Sequence, residues 1–199
     1  MARSAAAHNH AVQFYASDST LFTTVAAFLA EGLTSGQPTL IIATPAHRAA
    51  IVEHLCGRLI DCDRAIRDGD LLLLDAQSTL DLFMIDGEPQ PTMFFDNVGR
   101  LIEQALNGHQ SVLRAYGEMV DVLWRSGRAE AAIKLEILWN RLAAKYRFSL
   151  LCGYSLGNFY KQPQGIDLVC AHHSHVVSEA SRVTSFPSRA EKIASSREH

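Results

Sequence analysis

The sequence predicts an α/β protein whose central, mostly parallel sheet is covered by helices on both faces. Short apolar runs alternate along the chain with segments of helical periodicity, which is the pattern of such folds. One run, residues 71–74, is leucine throughout, as is typical of strands buried on both faces. The 199 residues are 48% hydrophobic and 20% charged, a composition that excludes collagen-like and disordered classes.

The first two elements are a strand and a helix. Residues 11–15 form the predicted strand, and Ser17 or Asp18 caps the helix that follows. Gly36 and Pro38 interrupt the pattern after this helix. The helical period is carried by Leu21, Phe22, Val25, Phe28, Leu29 and Leu33.

The next pair is a buried strand at residues 39–43 and a second helix. Thr44 is the expected N-cap, and Pro45 occupies the first helical position, where proline is favoured. The helix extends to residue 55 or 56, and Gly57 is its expected stop.

The remaining elements continue the alternation. Further strands are predicted at residues 71–74, 111–116 and 148–152, and further helices at 91–107, 118–126 and 129–145. The domain organisation follows as an N-terminal extension at 1–9, one domain at 10–177 and a serine-rich polar tail or linker at 178–199.

Charge and hydropathy narrow the class of protein. The net charge of −3 leaves no basic surplus for phosphates, so direct nucleic-acid binding is not expected. No apolar run approaches the roughly 20 residues of a membrane-spanning helix, and the N-terminus lacks a secretory signal. The cysteines show no CxxC spacing or dense framework, which favours a reducing compartment. A cytoplasmic protein that does not contact membranes is therefore expected.

Ligands of open parallel sheets bind at the carboxyl ends of the strands. The junction at Thr44 and Pro45 presents a helix N-terminus there, which is a usable anion site. It has neither the glycines nor the lysine of a phosphate-binding P-loop, although Asp75 ends a hydrophobic strand as a magnesium-assisting aspartate does. ATP hydrolysis is therefore disfavoured. His47 lies in the first turn of the same helix, either as a ligand contact or as an ordinary exposed side chain.

A charged residue lies near the apolar side of the helix at 129–145. Glu136 projects close to that side, and Asn140 follows one turn later. A carboxylate removed from water needs a partner, and Arg114 and Glu118 are candidates for the same polar network. This network is either a salt bridge that orients helices or a ligand contact.

Cysteine and histidine are concentrated near residue 170. Cys170, His172, His173 and His175 form a dense group of metal-ligand types, and Cys152 is the only other candidate nearby in sequence. No matching second pair accompanies them, so Cys170, His172 and His175 are weak candidates for a metal site. A histidine-rich final helix or strand is the default interpretation. Since no nucleophile elbow or dinucleotide fingerprint occurs either, the protein is predicted not to be an enzyme.

Several blocks of sequence resemble one family of sensory domains. The most specific begins Arg-Ala-Tyr-Gly-Glu-Met-Val at residue 114 and continues through Leu-Trp-Asn at 138–140. The other blocks are His-Ala-Val-Gln-Phe-Tyr at 10–15, Ile-Ala-Thr-Pro-Ala-His-Arg at 42–48, Asp-Ala at 75–76 and Ser-Leu-Leu-Cys-Gly-Tyr at 149–154. Together they resemble the MEDS domain, named from methanogens, methylotrophs and a dichloromethane-responsive regulator, over about residues 10–176.

The resemblance implies a signal-input domain for small molecules, with hydrocarbon derivatives as proposed ligands. It implies a fold related to the RecA/KaiC-like ATPases without a working P-loop. Such domains are often joined to histidine kinases or transcription regulators; none follows here, so the chain acts on a partner in trans or is a fragment. With Asp75 added from its strand end, the expected ligand-binding residues are His10, Tyr15, Thr44, His47, Asp75, Arg114, Glu118, Glu136, Trp139 and Tyr154.

Four function hypotheses remain open at this point. The first is a sensory domain that binds a small molecule at the strand ends and relays the signal to a partner. The second is a ligand-free interaction module for a kinase or sigma-factor pathway, and the third is a residual nucleotide-binding protein. The fourth is a metal or redox sensor that uses Cys170 and the histidines beside it. A homodimer is compatible with each of them, and the sequence does not identify a cofactor.

Overall fold

The computed structural model describes residues 9–106, 111–177 and 183–185. Its main sheet has the strand order β3-β2-β6-β7-β1-β8-β9, in which the first six strands run parallel and β9 pairs antiparallel with β8. The strands of this sheet are β1 (His10–Tyr15), β2 (Thr39–Ala43), β3 (Leu71–Asp75), β6 (Leu113–Gly117), β7 (Phe148–Ser155), β8 (His175–Val177) and β9 (Val183–Ser185). A separate two-stranded hairpin consists of β4 (Met84–Ile85) and β5 (Glu88–Pro89).

Helices cover both faces of the sheet, as expected of a parallel sheet. They are α1 (Asp18–Thr34), α2 (Pro45–Cys56), α3 (Cys62–Asp68), α4 (Ala76–Asp81), α5 (Pro91–Leu106), α6 (Met119–Arg125), α7 (Ala129–Ala143) and α8 (Gly165–Cys170), with a 3-10 turn at Leu156–Phe159. Side chains of α5, α6 and α7 form one hydrophobic core against the sheet, and side chains of α1, α2 and α3 form another.

Alternation along β1 decides which core each of its residues enters. His10 and Val12 point toward α7, whereas Ala11 and Tyr15 point toward α1 and α2. This is the period of two expected of any strand. It separates His10 from Tyr15, two residues that the sequence assigns to the same site, onto opposite faces of the sheet.

The α/β class, the predicted strands and the predicted long helices are confirmed. The elements without a prediction are short: α3, α4, the β4–β5 hairpin, α8 and β9, whereas β8, which begins at His175, is the strand alternative expected for the histidine-rich segment. Too few residues lie in each of them to show a period. Val183–Ser185 falls in the predicted polar tail, and residues 1–8 and the rest of 178–199 lie outside the described residues.

Two further features concern the redox compartment and the membrane. A disulfide joins Cys56 to Cys62 and closes the connection between α2 and α3. Disulfides are uncommon in reducing compartments, so the sequence argument for such a compartment is weakened. Among the described helices, none combines the length and the apolar character needed to cross a membrane.

Candidate functional site

Polar side chains meet where β1, β2, β6 and β7 end. We name the group of Tyr15, His47, Glu118 and Asp121 the carboxyl-edge cluster. Tyr15 ends β1, His47 lies in the first turn of α2, and Glu118 directly follows β6. Asp121 belongs to α6, one turn after Glu118. The parallel pairing of the strands brings these positions, distant in sequence, to one edge of the sheet.

Glu118 is the centre of this cluster. Its carboxylate accepts the backbone N–H of Thr44, the Nδ1–H of His47 at 2.7 Å and the hydroxyl of Tyr116 at 3.2 Å. Burial alone raises the pKa of Glu118, but the hydrogen bonds from His47 and Thr44 outweigh burial and hold the pKa below its usual value. Glu118 is therefore a buried, ionised carboxylate.

Tyr116 reaches Glu118 by passing over a glycine. A Cβ atom at Gly153 of β7 would stand 2.8 Å from the Tyr116 hydroxyl oxygen, closer than such contacts occur. Gly153 therefore leaves the space that Tyr116 occupies, and the hydroxyl is directed to Glu118. This position needs glycine because of a close approach and not because of backbone conformation.

His47 is oriented by Glu118 and opens toward solvent. Its Nδ1 donates to Glu118, so its Nε2 points away from that carboxylate and lies 3.8 Å from Asp18 Oδ2. The His47 side chain is 14% exposed and Asp18 is 63% exposed. The hydrogen bond to Glu118 raises the pKa of His47 above its usual value. The edges of the Phe22 and Tyr15 rings pack against the imidazole.

Asp121 and Tyr15 complete the cluster. Asp121 Oδ1 accepts the Ser155 N–H at 2.9 Å and the Asn158 amide, and Arg125 lies 3.3 Å from Oδ2. Burial raises the pKa of Asp121. Burial, together with the charges of Asp121 and Glu118, also raises the pKa of Tyr15, whose phenol stays protonated. The cluster thus presents one imidazole and one phenol as proton donors beside several carboxylates.

A second polar group lies on the opposite face of the sheet, under α7. We name His10, Glu136, Cys152 and His173 the core cluster. All four residues are buried, and their side-chain nitrogen, oxygen and sulfur atoms lie within 4.8 Å of one another. Tyr154 donates to Glu136 Oε1 at 2.8 Å.

Neighbouring side chains stabilise the ionised form of Glu136. Burial raises the pKa of this carboxyl, but His173, His10 and the hydroxyl of Tyr154 outweigh burial and lower the pKa to about 2. Burial lowers the pKa of His173 to about 4, so its ring is neutral near pH 7. Burial also raises the pKa of the Cys152 thiol, which stays protonated. The negative charge of Glu136 is therefore enclosed by protein.

The structure divides the predicted site residues between these places. Tyr15, Thr44, His47 and Glu118 meet at the carboxyl edge, and Asp75 lies further along the same edge as the N-cap of α4. His10, Glu136 and Tyr154 meet in the core.

Two of the predicted ligand residues join neither cluster. Trp139 packs edge-on against Phe94 and Phe148 in the hydrophobic core. Arg114 lies near the amino end of β6, where it donates to Gln37, to Glu31 and to the carbonyl of Phe28.

The predicted network of Arg114, Glu118 and Glu136 is wrong. Arg114 and Glu136 lie on opposite faces of the sheet, because Arg114 alternates with the neighbours in β6 that face α7. Glu118 lies at the carboxyl edge, where it contacts α2 and not α7.

The weak metal candidates lie beside the core cluster and not within it. Cys170 ends α8, the carbonyl of His172 accepts from Asn140, and His175 of β8 contacts Ser174. None of these three belongs to the group of ligand-type atoms found among the described residues. The neighbouring His173 and the distant Cys152 belong to it instead.

Several members of the two clusters, namely Asp121, Cys152 and His173, were not among the selected site residues, although Cys152 and His173 were noted as metal-ligand types. Asp121 follows Glu118 by three residues on one helix, and that spacing is a usable signal. His173, inside a histidine-rich run, has no feature that distinguishes it from His172 or His175. Its role depends on the pairing of β8 with β1, which places Ser174 against His10.

A cleft lies apart from both clusters. Its volume is about 530 Å³. Both polar and apolar residues line it, among them Trp124 and residues of the turn between α6 and α7, of the β4–β5 hairpin and of the segment after β7. Asn158, which lines the cleft, also donates to Asp121 and so joins it to the carboxyl edge. None of the predicted ligand residues lines this cleft.

Comparisons with known proteins agree with this architecture. A crystal structure of an uncharacterized protein from Pyrococcus horikoshii, in complex with an unknown peptide, matches with a TM-score of 0.61 and 14% identity. The match covers 85% of this chain and 76% of that one, and at this identity it shows the fold alone. No curated protein matches the chain. The family model of the MEDS domain, the methanogen/methylotroph, DcmR sensory domain, matches residues 9–173. The chain therefore belongs to the MEDS family of sensory domains.

Proposed function

We propose that this chain is a signal-input domain that binds a small organic molecule at the carboxyl-edge cluster and relays binding to a signalling partner. The observation that carries the proposal is the His47–Glu118 pair. A buried carboxylate fixes the imidazole, and Nε2 is left at the open edge of the sheet. In parallel sheets this edge is where ligands bind.

The chemistry of the edge favours a neutral, oxygen-bearing ligand. His47 and Tyr15 supply N–H and O–H donors, and the ring of Phe22 supplies apolar surface beside them. Asp18, Glu118 and Asp121 surround these donors with negative charge, which opposes an anionic ligand. An alcohol, ketone or related hydrocarbon derivative fits this arrangement.

The same geometry disfavours the nucleotide-binding alternative. The Thr44 N–H, which starts the α2 helix, already donates to the Glu118 carboxylate. A phosphate at this helix N-terminus would have to displace a buried carboxylate of the same charge. This supports the part of the proposal that the P-loop position of a RecA/KaiC-like fold has lost phosphate binding here.

Binding without turnover is part of the proposal. The nitrogens of His47 face the carboxylates of Glu118 and Asp18, and not a hydroxyl or thiol that the imidazole would activate as a nucleophile. Relay to a histidine kinase or a transcription regulator, in cis or in trans, requires that the ligand bind two conformations with different affinity.

The test is a binding titration of the full chain with one- to four-carbon alcohols, ketones and carboxylates, and with magnesium-ATP. We expect saturable binding of a neutral probe that His47→Ala abolishes. His54→Ala is the matched control, because His54 lies on the same helix and also packs against Phe22, while its Nδ1 bonds to the carbonyl of Ala50 and not to Glu118. Binding that survives His47→Ala, or binding of magnesium-ATP alone, contradicts the proposal.

A further inference from the structure

The core cluster has the composition of a metal site. It contains two imidazoles, a thiol and a carboxylate that come from four separate segments of the chain: β1, α7, β7 and the turn after α8. We propose that His10, Glu136, Cys152 and His173 bind one divalent transition-metal ion of the zinc class. The site is distinct from the carboxyl edge, and its existence does not depend on the function proposed there.

Three of the four ligand atoms, from His10, Glu136 and Cys152, have the spacing of a tetrahedral shell, and all four lie within 4.8 Å of one another. His10 Nε2 lies 3.3 Å from Glu136 Oε2 and 3.4 Å from Cys152 Sγ. Cys152 Sγ lies 3.7 Å from the same carboxylate oxygen, and His173 Nε2 lies 3.5 Å from Oε1. Tetrahedral ligands at normal zinc–nitrogen, zinc–oxygen and zinc–sulfur bond lengths are about 3.3 to 3.7 Å apart.

Both imidazoles are fixed in the tautomer that a metal requires. His173 Nδ1 lies 2.7 Å from the carbonyl oxygen of Val169, which can only accept, so Nδ1 carries the proton. His10 Nδ1 lies 2.9 Å from Asn140 Oδ1, and the amide orientation is set because Asn140 Nδ2 donates to the His172 carbonyl. Both Nε2 atoms therefore face the centre of the cluster. Metal-binding histidines donate their other ring nitrogen in this way.

One atom of the cluster has an unmet bonding capacity. Within the described residues, Nε2 of His173 is buried and has no hydrogen-bond partner. With the proton on Nδ1, this nitrogen presents a lone pair toward the carboxylate of Glu136, and two acceptors face each other. Buried polar atoms are rarely left without a partner, and a cation between these two atoms satisfies both.

The charge of the ligands and the burial of the site indicate which kind of ion binds. Binding releases the Cys152 proton to solvent, so the thiolate and the Glu136 carboxylate balance a doubly charged ion in the core. A set of imidazole and thiolate suits zinc better than magnesium or calcium. Because all four residues are buried, the site is closed, as structural zinc sites are. The ion would join β1, β7, α7 and the turn before β8.

The experiment loads the chelator-treated full chain with Zn²⁺ or with Co²⁺, whose absorption spectrum reports the ligands. We expect one ion per chain, a rise in melting temperature with Zn²⁺, and Co²⁺ bands typical of a tetrahedral site with one thiolate. Cys152→Ser and His173→Gln should weaken Zn²⁺ binding by about 100-fold or more, and Asn140→Ala by about 10- to 100-fold.

The matched controls are Cys170→Ser and His175→Gln, which remove the same kinds of side chain next to the cluster. We expect these variants to bind Zn²⁺ like the parent. Circular dichroism identifies any variant that fails to fold, and the Co²⁺ spectrum of the parent tests the site without a substitution. A parent that binds no stoichiometric ion, a spectrum without thiolate bands, or binding that Cys170→Ser abolishes overturns the proposal.

Discussion

The two polar clusters use the same kinds of residue in different surroundings. Glu118 and Glu136 each accept a tyrosine hydroxyl, from Tyr116 and Tyr154, and each meets histidine. At the carboxyl edge, His47 is partly exposed and its raised pKa favours the charged ring. In the core, His173 is buried and its lowered pKa favours the neutral ring.

The difference shows that residue type alone does not decide what a polar group does. An open cluster leaves one nitrogen of an oriented imidazole for an external molecule. A closed cluster turns its ligand atoms toward one another, at distances that suit a single bound ion. Burial and the position along the strand therefore separate a binding edge from an internal site.

The largest expected effect of a substitution is at Glu136. Glu136→Ala removes the shared partner of His10, His173 and Tyr154. Loss of one member of a buried charged network costs about 3 to 5 kcal/mol of unfolding free energy. Urea unfolding of the chelator-treated protein measures this loss of unfolding free energy. Exposed Glu130→Ala on the same helix should stay within about 0.5 kcal/mol, and an equal loss in both variants would falsify this account of the core.

A smaller effect is expected where Tyr116 passes over β7. Gly153→Ala places a methyl group against the Tyr116 hydroxyl, and overpacking of this kind costs about 1 to 3 kcal/mol. Displacement of Tyr116 should also weaken probe binding at His47, because both contact Glu118. Gly157→Ala is the control, since its added Cβ has only an ordinary 3.5 Å contact. Thermal unfolding that does not distinguish the two variants contradicts the prediction.

Arg114→Ala tests whether the amino edge of the sheet is separate from the ligand site at the carboxyl edge. Arg114 bonds to Gln37, Glu31 and the carbonyl of Phe28 at the amino edge of the sheet. Loss of these partly exposed contacts should cost about 1 kcal/mol in chemical unfolding. Binding of the probes at His47 should not change. Loss of binding in a folded Arg114→Ala variant would show that the ligand site extends to the other edge.

The smallest expected effect is a pH dependence from His47. Because its pKa is raised in the folded state, its contribution to stability is full below its unfolded pKa, about 6.5, and is lost as pH rises through the folded value. The difference in unfolding free energy between the parent and His47→Gln should therefore be larger at pH 6 than at pH 9. A difference that grows with pH has the wrong sign and contradicts the prediction.

The sequence was sufficient for the fold class because long periodic segments carry that information. The all-leucine run of β3 and the Thr44–Pro45 start of α2 are strong local signals, and the structure has both elements where they were expected. The burial of Glu136 also followed from the helical period alone.

The sites were less predictable because they depend on pairing between distant segments. The face of His10 follows from the register of β1 with β7, and the position of His173 follows from the pairing of β8 with β1. A shift of one residue in either register would turn these side chains to the other face. Local patterns do not contain that register, so the sequence grouped His10 with Tyr15 and selected His172 and His175 over His173.

Imidazole-detected NMR tests the central claim that the carboxyl edge receives the ligand and the core does not. The ring nitrogens of His47, His10 and His173 are followed in chelator-treated protein while each organic probe is titrated. The account predicts that a binding probe shifts Nε2 of His47 saturably and leaves the nitrogens of His10 and His173 unchanged. A saturating probe that shifts the core histidines, or the residues of the cleft at the α6–α7 turn, and leaves His47 unshifted would contradict it.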